Sequence, residues 1–228
     1  MIPLRDDNPA QRAPIVTRVI IILNVLAFLY QLTLGDGFNE FIRDWGVVPG
    51  RLFASLTGET SLPVELSTLF TAMFLHGNWL HLIGNMWYLW IFGDNVEDRM
   101  GHGRFLGFYL AAGVVAAVCH SALIPGSPVP TVGASGAIAG VLGAYAMAFP
   151  RARVLTLVPI FFFIQIIPIP AWIVLGIWFV IQFLYGTLTF GTPGGNVAWW
   201  AHIGGFVFGW IVMATTMRRQ RSGARLAD

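Results

Sequence analysis

Six stretches of this chain, at about 18–34, 75–93, 105–124, 132–149, 171–190 and 197–217, are apolar over close to the length a helix needs to cross a bilayer. That pattern excludes most soluble folds. Hydrophobic residues make up 56% of the 228 residues and charged residues only 11%, where soluble domains carry about 25% charged. The mean hydropathy is +0.71. The expectation is an all-α membrane protein: a compact bundle of six transmembrane helices with no separate soluble domain. Between 154 and 170 the apolar pattern is broken by Pro159, Pro168 and Pro170, and no further full span fits before Pro168. This piece reads as a re-entrant or interfacial stretch leading into a fifth helix at 171–190.

The charges set an orientation. All 13 basic residues are Arg. With the N-terminus inside, six spans place Arg5, Arg12, Arg18, Arg99, Arg104, Arg151, Arg153, Arg218, Arg219, Arg221 and Arg225 on the inner side. Only Arg43 and Arg51, in a long first outer loop, fall outside, as the positive-inside rule favours. Residues 1–17 and the Arg-rich 218–228 are then cytoplasmic tails around a core at 18–217, and no signal peptide is read at the N-terminus. In the outer loop, Phe38, Phe41, Ile42 and Trp45 recur at i, i+3, i+4 and i+7, a short amphipathic helix suited to the outer interface. No basic run is interleaved with aromatics, so nucleic acid is not an expected partner. The single cysteine, Cys119, rules out an internal disulfide and reads as a buried inert thiol.

Polar residues inside such spans are costly, and a functional role is their default reading. The inferred topology puts Ser135 at the outer end of the fourth helix and His202 at the outer end of the sixth. His81 and Asn85 fall in the outer half of the second, with His76 and Asn78 further out as weaker candidates. A nucleophile, a base and two hydrogen-bond donors thus reach one leaflet. Gly136 and Gly140 form one GxxxG pattern and Gly205 and Gly209 another, which lets helix backbones touch. Gly133 precedes the serine. No Asp or Glu lies in the last three spans, so the expected arrangement is a Ser–His dyad without an orienting carboxylate. There is no HExxH, and five scattered histidines make no metal site; no cofactor is expected.

With these residues placed, the chain resembles the rhomboid family of intramembrane serine proteases in its six-helix bacterial form. His81-Leu-Ile-Gly-Asn85 is similar to the family's HxxxN, Gly133-Ala-Ser135-Gly136 to its GxSG, and Ala201-His202-Ile-Gly-Gly205 with Gly209 to its AHxxGxxxG. The resemblance implies Ser135 as nucleophile, His202 as base and later acid, and His81, Asn85 and the Ser135 N–H as oxyanion donors. It implies that Glu97 supports the turn after the second helix. It also implies substrates that are transmembrane helices of other proteins, and a bacterial cell membrane as the compartment. Some members place an aromatic residue four positions after the serine, where this chain has Ala139, so Phe or Trp side chains of the fifth and sixth helices are expected to hold His202. Two other readings remain: an inactive rhomboid-like protein that binds membrane clients, and a small-solute transporter.

Overall fold

The computed structural model describes residues 1–160, 163–190 and 197–225, with the backbone alone at 160 and 219–225. The elements in chain order are β1 (Ile2–Asp6), α1 (Ile15–Thr33), α2 (Phe38–Trp45), α3 (Pro49–Ala54), α4 (Leu62–Thr71), α5 (Trp79–Met100), α6 (His102–Leu123), α7 (Ser135–Ala148), β2 (Arg153–Ile160), β3 (Phe163–Pro170), α8 (Ala171–Leu188) and α9 (Trp199–Arg225). Each of the six apolar stretches forms a helix. α1, α6, α8 and residues Trp199–Arg218 of α9 are long and apolar enough to span a membrane, so the chain is a multi-pass membrane protein. Large apolar side chains such as Ile22, Leu26, Trp90, Val180 and Leu184 are exposed on the outside of the bundle, where lipid would cover them. The 191–196 connection and the end of the Arg-rich tail, 226–228, lie outside the described residues.

Helix ends are set by local chemistry. Asn78 caps α5, its side-chain oxygen accepting from the His81 N–H at 2.9 Å. α5 ends at Gly101, whose φ of +80° is left-handed. α1 lacks a side-chain cap of its own. Its first turn is closed instead by Glu97 of α5, which accepts from the Val16 N–H at 2.8 Å, the Thr17 N–H at 2.8 Å and the Thr17 hydroxyl at 2.7 Å. His102 Nδ1 lies 2.6 Å from the same carboxylate. Glu97 therefore joins the start of α1 to the α5–α6 turn, two elements rather than one.

The stretch at 154–170 is neither a helix nor a simple interfacial strip. It forms an antiparallel hairpin of β2 and β3, and β1 pairs on the free side of β2 to give the order β1-β2-β3. The prolines explain why. Pro159 lies beyond the part of β2 that pairs with β1, and Pro168 and Pro170 sit on the edge strand β3, where missing N–H groups are tolerated. Val154 and Thr156 are fully buried, while Phe163 and Ile164 at the start of β3 are more than two-thirds exposed. Trp87 Nε1 donates to the Pro3 carbonyl at 2.7 Å, and Tyr145 donates to Asp6, so β1 is fastened to α5 and α7. Burial raises the Asp6 carboxyl above its ordinary value, partly offset by the Tyr145 hydrogen bond.

The long connection between α1 and α5 is folded. α2 is the amphipathic helix over Phe38–Trp45. Arg51 Nε lies 3.3 Å from the buried Glu65 carboxylate of α4. A two-way backbone bridge between Val47 and Thr131 ties this connection to the segment that leads into α7.

α7 is the centre of the bundle. Every residue from Gly136 to Tyr145 is buried, as expected of a helix apolar on all sides. A Cβ added to Gly205 would run into the Gly136 carbonyl, one on Gly209 into the Gly140 carbonyl, and one on Gly143 into the Phe206 carbonyl. α7 and α9 thus meet backbone to backbone. On the far side, a Cβ on Gly136 would lie 2.7 Å from Ala116 Cβ, and one on Gly140 would lie 2.6 Å from Ala112 Cβ, so α6 packs alanine side chains onto the same glycines.

Two stability outcomes follow. Glu97→Ala removes a buried carboxylate and strands two N–H groups of α1; thermal unfolding in detergent should show a loss of about 2–4 kcal/mol. Gly209→Ala must push the Gly140 backbone away and should cost about 1–3 kcal/mol or more by the same measurement, whereas Gly107→Ala on α6, with open space around it, should leave stability unchanged.

Candidate active site

Ser135 is the first residue of α7 and His202 the fourth residue of α9. The close helix contact brings them together at one end of the bundle, with Ser135 Oγ 2.8 Å from His202 Nε2. His202 Nδ1 lies 2.7 Å from the Oε1 of Gln182 on α8. An amide oxygen only accepts, so Nδ1 carries the ring proton and Nε2 of the neutral ring accepts from the serine hydroxyl. A proton can pass from Oγ to Nε2 without any rearrangement of these atoms.

Aromatic rings hold the imidazole. Trp178 lies against it with ring centroids 5.9 Å apart, and Trp199 meets it edge-on at 6.2 Å. These are residues of α8 and α9, the two helices expected to supply them. Ala139 is fully buried against Gly205, and no aromatic ring would fit there.

On the other side of Ser135, Gly133 has a φ of +122°, open only to glycine. A Cβ there would lie 2.6 Å from His81 Nε2 and 3.6 Å from Asn85 Nδ2. His81 and Asn85 therefore press against the segment that leads into Ser135. As the first residues of α7, Ser135 and Gly136 have backbone N–H groups without intrahelical acceptors, at the positive end of the helix dipole. The N-terminus of α7 and these polar side chains of α5 thus meet at Gly133.

His76 is fully buried. Its Nε2 accepts from Asn85 Nδ2 at 3.0 Å, and its backbone is gripped by Gln31 of α1, which accepts from the His76 N–H at 3.0 Å and donates to its carbonyl at 3.2 Å. His76 and His81 meet edge-to-face with centroids 5.0 Å apart. A cavity of about 30 Å³ lies beside Ser135, lined by Met73, Gly113, Ala116, Val132 and Ala201 among others. Among the described residues no group of three or more His, Cys, Asp or Glu side chains could hold a metal ion.

Sequence reasoning missed Gln182. It is not a carboxylate, the group expected as a third partner. The available signal was an amide within an otherwise apolar span, four residues after Trp178 and so on the same helix face.

The Rhomboid domain family model matches residues 63–219, more than half of the chain. The chain belongs to the rhomboid family. This rhomboid chain is 36% identical over 132 residues to the rhomboid protease GluP of Bacillus subtilis, an overlap that is 58% of this chain and 24% of that protein. It is 30% identical over 157 residues to the mitochondrial rhomboid protein 1 of Saccharomyces cerevisiae, covering 65% of this chain and 42% of the relative. To the human mitochondrial presenilin-associated rhomboid-like protein it is 31% identical over 110 residues, 47% of this chain and 29% of the relative. In each case the match spans less than half of the relative's length.

Proposed function

We propose that this rhomboid is an intramembrane serine endopeptidase that cleaves transmembrane segments of other membrane proteins. The observation that carries the reading is the 2.8 Å contact between Ser135 Oγ and His202 Nε2. In the first half-reaction Oγ attacks the scissile carbonyl as Nε2 takes its proton. The carbonyl oxygen becomes an oxyanion, held by His81, Asn85 and the Ser135 N–H. The tetrahedral intermediate collapses, the imidazolium gives its proton to the leaving amine, and an acyl ester remains on Ser135. A water then gives its proton to Nε2 and attacks the ester, and the serine recovers its hydrogen as the acid leaves.

The length of α7 supports a site below the membrane surface. Its 14 residues rise about 21 Å, against a hydrocarbon core of about 30 Å. An end of α7 that stops short of the interface puts Ser135 within the bilayer, where water reaches it through the polar end of the bundle. A helical substrate hides its carbonyls and must unwind locally before attack. Its access route in this reading is lateral, past α8. In the same reading six helices cross the membrane, residues 18–217 form the core, both tails are cytoplasmic, and the compartment is the bacterial cell membrane.

The test is a fluorophosphonate probe on purified protein. Wild type should be labelled on Ser135, Ser135→Ala should take no label, and His202→Ala should slow labelling by at least about 10³-fold. Labelling that survives Ser135→Ala contradicts the mechanism, and an unlabelled wild type favours an inactive client-binding protein.

A further inference from the structure

We infer that Gln182 is a positioning residue for His202, its amide oxygen fixing the tautomer that leaves Nε2 bare toward Ser135. The inference rests on the serine-protease reading above and names what does the orienting work in the absence of a carboxylate.

Three observations carry it. The contact is short and specific: Gln182 Oε1 is 2.7 Å from Nδ1, on the opposite edge of the ring from Ser135 Oγ. Gln182 is also 6% exposed in a helix whose other large side chains mostly face outward, so its amide points into the bundle. An amide in such a helix is costly unless bonded, and His202 is the partner that its oxygen meets. Finally, two aromatic rings pack on the imidazole. Trp178, one turn before Gln182 on the same face of α8, lies against the ring, and Trp199 abuts it edge-on. Packing of that kind limits tilt, but it does not distinguish Nδ1–H from Nε2–H. Only the acceptor does so.

The choice of tautomer decides the chemistry. With the proton on Nε2 the ring would donate to Ser135 and could not take its proton. A neutral amide sets the tautomer as a carboxylate would, yet gives the imidazolium much less charge stabilisation. Among the described residues, the other titratable groups that act on His202 are His81 of α5 and His120 of α6, neither of them acidic. A carboxylate at position 182 would therefore be the first negative charge facing this ring.

Two variants separate positioning from packing: Gln182→Met, similar in shape but without an acceptor, and Gln182→Glu, which keeps the acceptor and adds charge. The readout is the rate of fluorophosphonate labelling of Ser135, resolved into a saturating rate and a binding constant and followed against pH. Gln182→Met should lower the saturating rate about ten- to a hundredfold with the binding constant unchanged. Gln182→Glu should keep a rate closer to wild type and move the acid limb of the profile to higher pH by at least about one unit. A residue that only packed would lose thermal stability in Gln182→Met and leave the saturating rate of the folded protein unchanged. If Gln182→Met proves unfolded by thermal melting, Gln182→Leu, which also lacks an acceptor, is read in its place. A labelled wild type with Gln182→Met within twofold of it, or with an unmoved limb in Gln182→Glu, overturns the positioning role and leaves the protease reading standing. A wild type that takes no label overturns both.

Discussion

The backbone contact between α7 and α9 is the constraint on which the remainder of the structure depends. Gly205 and Gly209 lie directly against the carbonyls of Gly136 and Gly140, with no room for a side chain between them. In lipid there is little hydrophobic force between helices, so association relies on close packing and on polar contacts. Packing this close fixes both the separation and the register of two helix N-terminal ends. One end carries Ser135 and the other His202, and their hydrogen bond follows from that register. α6 reinforces the arrangement from behind, with Ala112 and Ala116 set against the same two glycines of α7.

A run of polar contacts then links the helices across the site. It passes from Gln182 of α8 to His202 of α9 and Ser135 of α7. On the other side of Gly133 stand His81 and Asn85 of α5, and a second run passes from Asn85 to His76 and on to Gln31 of α1. Buried polar groups are tolerated only with partners, and a paired network specifies one arrangement of the helices around it. The single α8 member of the first run is Gln182. α8 is otherwise joined to the site by rings, chiefly Trp178 and Phe179 against His202 and Phe206.

Much of this was legible in the sequence because lipid simplifies the code. Long apolar runs had to be helices, and Ser135, His81, Asn85 and His202 stood out as polar residues within them. The hairpin was not legible. Residues 154–170 are apolar nearly throughout, and an apolar run of eight does not reveal its period when both faces lack polar residues. The prolines excluded a helix but did not choose between a strand and an interfacial coil; pairing with Ile2–Asp6, some 150 residues away in sequence, made that choice. His76, expected at the outer end of the second span, lies just before α5, with its backbone bonded to Gln31. Gln182 escaped notice because the expected third partner was an acid.

The central claim is that Ser135 and His202 cut peptide bonds of membrane-embedded helices. The most direct measurement co-reconstitutes the chain in liposomes with single-span proteins carrying small or helix-breaking residues near one end of the span, and maps the products by mass spectrometry. The account predicts one cut near that end, on the side of the bilayer that holds Ser135, and none with Ser135→Ala. Intact substrate with a well-folded wild type, or the same cut from Ser135→Ala, would contradict it.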